Sequence, residues 1–288
     1  MQIVSDRGAD LSKEQLEGLD VFFVPLKITL EGKTYLGGED LSAEQFYHLL
    51  DGTQAFPTTS QPSPGDFAEL YRKLAQVDPD ILSIHISSGL SGTLESARLG
   101  AAMVPEANIH IFDTKTLSCP EGWQVEAAAK AIKAGWPLNR IISLLEGIRE
   151  KAEGIFTLND LRYLIHGGRI SHLKGLVASL LNIRPVIGVD HQSGKYVSLI
   201  QEVTLKRAIK KMVEYAGKLY PEGTQLRVQP LHGYNPAAVE LVIQTFKENF
   251  DCVFEAITPV APVLGAHTGP SLVGLAVAPM DVFKPLES

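Results

Sequence analysis

Cysteine is scarce in this chain of 288 residues, which holds two, Cys119 and Cys252, far apart and outside any CxxC pair. That usage supplies no metal framework and fits a reducing cytoplasm better than a disulfide-stapled fold. Eight histidines are present without HExxH or comparable ligand spacing, so no metal site is expected. Positive charge is also short. Lys and Arg number 26 against 33 Asp and Glu, a net charge of −7, which disfavours nucleic acid as the main partner because phosphate neutralisation needs clustered cations. No run reaches the ~18 uninterrupted apolar residues of a membrane span. The start, MQIVSDRGADLS, lacks the basic head and apolar block of a secretory signal, so a cytoplasmic location is expected.

What is present is an alternation of strand and helix signals. Residues 2–4, 21–30 (VFFVPLKITL), 80–86 and 108–112 read as strands. A helix over 63–77 has a clear start, with Ser63 as N-cap, Pro64 at the first position and Asp66 at the third. Residues after the SSGLSGT turn read as helix through 102, and 121–151 carry two helix patterns split by Gly135-Trp136-Pro137. Such alternation predicts βαβ units and a mainly parallel sheet flanked by helices. Ligands in such sheets lie beyond the carboxyl ends of the strands, which directs attention to Ser5-Asp6, Ser87-Ser88 and Asp113-Thr114.

The second half reads differently. A strand over 154–158 precedes a helix, DLRYLIHGG, stopped by Gly167-Gly168, and then a second helix, RISHLKGLVASLLN. IRPVIGVDHQSGKYVSLIQEV predicts a hairpin turning at residues 191–194. Helices follow over 204–219 and from Asn235-Pro236, then a strand (CVFEAITPV), a loop (APVLGAHTGPS) and a last apolar run, LVGLAVAP. The expected architecture is α/β with two domains, residues 1–153 with the mainly parallel sheet and residues 154–288 as a mixed α/β domain.

Four stretches carry candidate chemistry. SSGLSGT, residues 87–93, fails as a hydrolase elbow because Thr93 stands where GxSxG needs its last glycine. It contains no P-loop lysine and no GxGxxG. What remains is a helix N-terminus with free N–H groups and hydroxyls, suited to a carboxylate or a lone phosphate, or else a plain helix cap made by Ser91 or Thr93. In PTTSQPSPGDF, residues 57–67, Ser63 caps the helix, while Thr58, Thr59 and Ser60 are free to supply donors. In GAHTGPS, residues 265–271, His267 is an anion donor, a general base or a loop histidine bonded to backbone. Gly167-Gly168-Arg169 is a helix stop with a solvated arginine, or places a planar guanidinium at an interface or an anion. His85 and His110 lie inside strands and read as core or edge residues.

Together SDRGADL, TTSQPS, SSGLSGT, GGRI, RPVIGVD and HTGPS resemble the DegV family of bacterial fatty-acid-binding proteins over essentially the whole chain. Two positions depart from its pattern: Arg7 replaces a serine or threonine, and Ser271 a common glycine. The resemblance implies a long-chain fatty acid in a tunnel between two α/β domains. Its carboxylate would be held by hydroxyls of TSQPS and LSGT, which map to Thr59 and Ser91, with Ser60, Gly92 and Thr93 beside them and His267 and Thr268 nearby. It implies a carrier without catalysis, cofactor or metal, which presents the acid to a separate fatty acid kinase for acyl phosphate formation. Arg169 would be the partner-facing residue, toward that kinase or, transiently, membrane headgroups, so the head group would be held without an arginine. Apolar lining is expected from LVASLLNI and VAPVL. The alternative is an enzyme of phosphoryl transfer or hydrolysis, with Ser91 as nucleophile and His267 as acid/base or phosphoacceptor.

Overall fold

The computed structural model describes residues 1–173 and 183–286. Strand β1 (Gln2–Asp6), helix α1 (Lys13–Leu16) and strand β2 (Val21–Val24) come first. The expected single strand over 21–30 is broken after Val24. Pro25 has no N–H for a ladder and restricts the residue before it, so the chain leaves the first sheet there. It continues as β3 (Lys27–Leu30), which pairs antiparallel with β4 (Lys33–Leu36) and β5 (Thr58–Ser60) in a separate three-stranded sheet. Between β4 and β5 lies α2 (Ala43–Asp51), opened by a Ser42/Gln45 capping box. The sequence reading had neither β4, α2 nor β5. TTSQPS is thus a strand end, not a loop.

α3 (Pro64–Ala75) starts as its residues dictate: Ser63 Oγ accepts the Asp66 N–H at 3.2 Å and Asp66 accepts the Ser63 N–H at 2.8 Å. β6 (Asp80–His85), α4 (Thr93–Ala102) and β7 (Asn108–Asp113) complete an all-parallel sheet of order β2-β1-β6-β7. Next come α5 (Ser118–Lys133) and α6 (Leu138–Lys151), separated where Gly135-Trp136-Pro137 predicted.

The mixed sheet begins with β8 (Glu153–Thr157), followed by α7 (Arg162–His166) and a 3₁₀ turn, Arg169–His172. The rest of the helix expected there, residues 174–182, lies outside the described residues. β9 (Arg184–Val189) and β10 (Tyr196–Glu202) form the predicted hairpin, and α8 (Leu205–Leu219) is capped by Thr204. β11 (Gln225–His232), α9 (Pro236–Lys247), β12 (Asp251–Phe254), β13 (Thr258–Pro259), α10 (Pro262–Thr268) and β14 (Val273–Pro279) close the fold. The sheet order is β10-β9-β8-β14-β11-β12, with β13 also against β11.

β11 lies inside that sheet although Pro230 argues against a central strand. The structure resolves the conflict through its neighbours. β12 pairs as far as Val228 and β13 resumes at Leu231, so the partner on that side is interrupted at Pro230. The same interruption divides the expected strand over 252–260. Residues 261–271, expected as a loop, contain α10, with Pro262 in its first turn and Gly269 (φ 73°) ending it. Seven residues with little periodicity gave no helix signal.

α5 is the layer between the two sheets. It contacts β1 and β6 on one side and β8 and β14 on the other, and nearly all of it is buried. A helix covered all round belongs to a core rather than to a surface. The halves are also tied by charge. Arg227 of β11 donates to Glu126 of α5 at 2.7 Å and to Glu255 at 2.8 Å, and its guanidinium lies over the rings of Trp123 and Phe283. Both cysteines are free, and no helix among the described residues is long and apolar enough to cross a membrane.

Removing Arg227 strands a carboxylate that is 5% exposed, with only Lys130 left to pair it. Arg227→Met should lower unfolding free energy by about 2–3 kcal/mol in urea titration. Adding Glu126→Gln should recover part of that loss; the absence of any recovery would show that the pairing is not what Arg227 contributes.

Candidate functional site

Strand geometry decides which hydroxyls of TTSQPS face inward. Side chains alternate along β5, so Thr58 and Ser60 lie on the exposed face and Thr59 on the other. Ser60, expected beside the ligand, does not line the pocket. Thr59 Oγ1 meets Nε2 of His267, in the last turn of α10, at 2.8 Å. The other ring nitrogen, Nδ1, is buried without a partner. It packs so closely on Gly167 that a Cβ there would lie 2.0 Å away. The first glycine of GGR therefore makes room for a histidine from a distant helix as well as ending α7.

Burial, and then the charge of Arg169, pull the His267 pKa down to about 4, so the ring is neutral at neutral pH. An N–H at Nδ1 would be an orphaned buried donor, which costs more than an idle lone pair. The proton therefore belongs on Nε2, where His267 donates to Thr59 and leaves the threonine's own proton free for the pocket.

Ser91 stands just before α4. Its Oγ accepts the Thr93 N–H at 3.2 Å and shares a hydrogen bond with Thr93 Oγ1 at 2.9 Å. The helix-cap reading does not hold as expected: the N-cap is Gly92, without a side-chain cap bond, and Ser91 lies one residue outside it. Thr93 is fully buried and its hydroxyl is engaged with Ser91, so it supports the site from behind. Gly92 has a steric role: a Cβ there would lie 2.5 Å from the Gln61 amide, which reaches across to Ser96 at 3.3 Å. Gln61 thus keys TTSQPS onto LSGT, a coupling that no single-motif reading reveals.

The three strand-end pairs gather on the rim of the parallel sheet, but they are mostly occupied by bonds to neighbouring segments. Asp6 accepts from the Gly8 and Ile86 N–H groups, Ser88 donates to Asp113 at 2.6 Å, and Thr114 donates to the His85 carbonyl. His85 is fully buried in a chain Asp6–His85–Ser83–Tyr71, and His110 is exposed on edge strand β7. Ser87 Oγ donates to the Gly194 carbonyl at 2.8 Å, which docks the β9–β10 hairpin on the SSGLSGT turn.

Arg169 is half-buried and lines the pocket. Its Nη1 donates to the Gly167 carbonyl at 2.6 Å, and Nε and Nη2 reach the Leu90 carbonyl at 3.3 Å. These bonds draw the guanidinium across to the LSGT turn and into the same pocket as Thr59, Ser91 and His267. No carboxylate among the described residues pairs with it. A half-buried cation between two carbonyls, with hydroxyl donors around it, makes a pocket that favours an anion.

That polar end shares Leu117, Tyr196 and Leu264 with a second cavity. The second is walled by apolar side chains of both halves, including Pro120, Ile155, Phe156, Leu231 and Leu272. Thr268 also lines it, but its hydroxyl donates to the Leu264 carbonyl at 3.1 Å, so it presents its carbon side. Val260 and Leu264 of VAPVL line it and Val263 lines the polar end; residues 176–182 of LVASLLNI lie outside the described residues. Ser91 and His267 share the pocket, yet the histidine bonds Thr59 and no hydrogen bond joins it to Ser91. No group of residues suited to a metal ion occurs among the described residues.

The family model described as "Uncharacterised protein, DegV family" matches residues 1–280. The chain belongs to the DegV family. A DegV domain-containing protein of Listeria monocytogenes is 33% identical over 275 residues, covering 95% of this chain and 96% of its own. A DegV family protein from Thermus thermophilus, whose structure is described as showing fatty acid binding, superposes with TM-score 0.87 at 28% identity, covering 97% and 99%. DegV of Bacillus subtilis, described as a fatty acid binding protein, gives TM-score 0.86 at 28% identity, covering 96% and 98%.

The His267 shift has a signed consequence. Its folded pKa lies below the unfolded value of about 6.5, so the unfolded chain binds more protons in between and stability falls as pH drops from about 6.5 to 4. Asp10, raised by burial from 3.8 to about 7, acts in the opposite sense across that whole range. The difference between wild type and His267→Gln isolates the histidine: melts at pH 7 and pH 4.5 should show the wild type losing about 2–3 kcal/mol more than the variant.

Proposed function

We propose that this chain binds a long-chain fatty acid and carries it without chemically altering it. The observation that carries this reading is Arg169: a cation without a carboxylate partner, set among Thr59, Ser91 and His267 at the polar end of an apolar cavity. An ionised carboxylate there exchanges water for charge-assisted bonds, each worth about 1.5–3 kcal/mol net. The acyl chain adds about 0.8 kcal/mol per CH₂ removed from water, so most of the affinity resides in the tail and the orientation in the head. In this reading Thr59 and Ser91 donate hydroxyl protons, Arg169 supplies the counter-charge, and His267 fixes the direction of the Thr59 proton. Gly92, Thr93 and Thr268 shape the walls. The fatty acid binding ascribed to relatives of 28% identity supports the same ligand class.

The family resemblance extends the proposal to delivery. The bound acid is presented, in the cytoplasm, to a separate fatty acid kinase that forms the acyl phosphate. Residues 1–153 and 154–288 are the two domains between which the acid lies.

Denaturing extraction of the purified protein followed by lipid mass spectrometry should recover an acyl chain. After delipidation, oleate should rebind, with Arg169→Met weaker by about tenfold or more and Ser91→Ala weaker by a smaller factor. Recovery of no acyl chain together with no oleate binding would overturn the reading. If Arg169→Met left affinity unchanged, the counter-charge assignment would fall while the ligand class stood.

A further inference from the structure

Arg7 is a feature the fatty-acid site does not explain. It follows β1 at the carboxyl rim of the parallel sheet, where β1 has β2 on one side and β6 on the other. The chain changes direction across the sheet at that point, and open α/β sheets hold ligands in the crevice so formed. The guanidinium lies 4.2 Å from the centre of the Phe23 ring and packs on Gly38. Its Nε is buried without a hydrogen-bond partner. Glu39 acts on it through space, but no carboxylate among the described residues lies within ion-pair distance.

A cleft of about 350 Å³ opens beside Arg7, between residues 7–13 and 37–38 on one side and 257–263 on the other. Much of its wall is apolar, including Leu11, Ile257, Pro259 and Pro262. Lys13 also borders it and has no ion-pair partner among the described residues. Asp10 is the acidic residue of the lining; it is buried, and its oxygens accept from Ser118 Oγ and the Ala261 N–H. The cleft shares only Val263 with the head-group pocket, so the two adjoin at that residue.

We propose that this cleft is a second ligand site for a small organic phosphate. Arg7 and Lys13 hold the phosphoryl group, and the apolar body lies on Leu11, Ile257 and Pro259. Two unpaired cations match a dianion; a carboxylate would neutralise only one. The planar fork of Arg7 suits phosphate oxygens, and Phe23 and Gly38 hold it in place before binding. The site is independent of the fatty-acid reading and takes its ligand from both halves of the chain.

Calorimetric titration with phenyl phosphate, with benzoate in a parallel arm, tests it. The wild type should bind phenyl phosphate saturably with a dissociation constant below ~1 mM, and benzoate more weakly. Arg7→Met, which keeps contact with Phe23, should weaken phenyl phosphate at least about tenfold, and Lys13→Gln by a smaller factor. Ser91→Ala and Thr59→Val should leave its affinity unchanged. Lys13 is exposed, so its variant keeps the test valid if Arg7→Met fails to fold. The proposal is overturned by absence of saturable binding up to ~10 mM, by wild-type affinity in both cation variants, or by benzoate binding as tightly. It is equally overturned if Ser91→Ala abolishes binding, since the probe would then occupy the head-group pocket.

Discussion

A guanidinium held by backbone carbonyls and left without a carboxylate is the interaction on which the site depends. Arg169 spans from the Gly167 carbonyl to the Leu90 carbonyl, so it belongs to the second half of the chain and grips a turn of the first. Those bonds leave its charge uncompensated. In a half-buried position such a charge is costly unless an anion or water completes it, and the cavity beyond it is too apolar to serve as a water channel. Burial, helped by that charge, keeps His267 neutral, and its partnerless Nδ1 leaves the ring proton on Nε2, which settles which proton Thr59 can offer. In the proposed function, head-group recognition is a property of the whole cluster.

The surrounding architecture holds these groups still. Gln61 lies on the backbone of Gly92, Gly167 admits the His267 ring, and the β9–β10 hairpin docks on Ser87. Each contact is between segments far apart in sequence, and all three need a residue with no side chain, Gly92, Gly167 and Gly194. Helix α5, covered on both sides, makes the two sheets share one core, and Arg227 adds a charged tie across it. The cavity between the sheets is therefore walled by elements that cannot shift independently.

Local chemistry made much of the fold readable. The Ser63–Pro64–Asp66 start, the Gly135–Pro137 break and the β9–β10 hairpin follow from caps, prolines and turn residues acting over a few positions. Where prediction failed, a neighbour had overruled a local signal. Pro25 split a strand because its two sides join different sheets. Pro230 is tolerated in β11 because the partner strand lapses beside it. The small sheet of β3, β4 and β5 escaped notice because its strands are three or four residues long, and it is this excursion that carries Thr59 to His267.

By itself the sequence determined the class of fold, the family, and the small hydroxyl-bearing turns, because capping, periodicity and motif spacing are recorded in consecutive residues. Only the tertiary structure decided which member of each motif faces the pocket. Thr59 turns inward and Ser60 outward through strand alternation; Thr93 supports Ser91 from behind; Arg169 points into the site because carbonyls of two distant segments draw it there. Side-chain direction and charge compensation arise between segments far apart in the chain, and no run of neighbouring letters contains them.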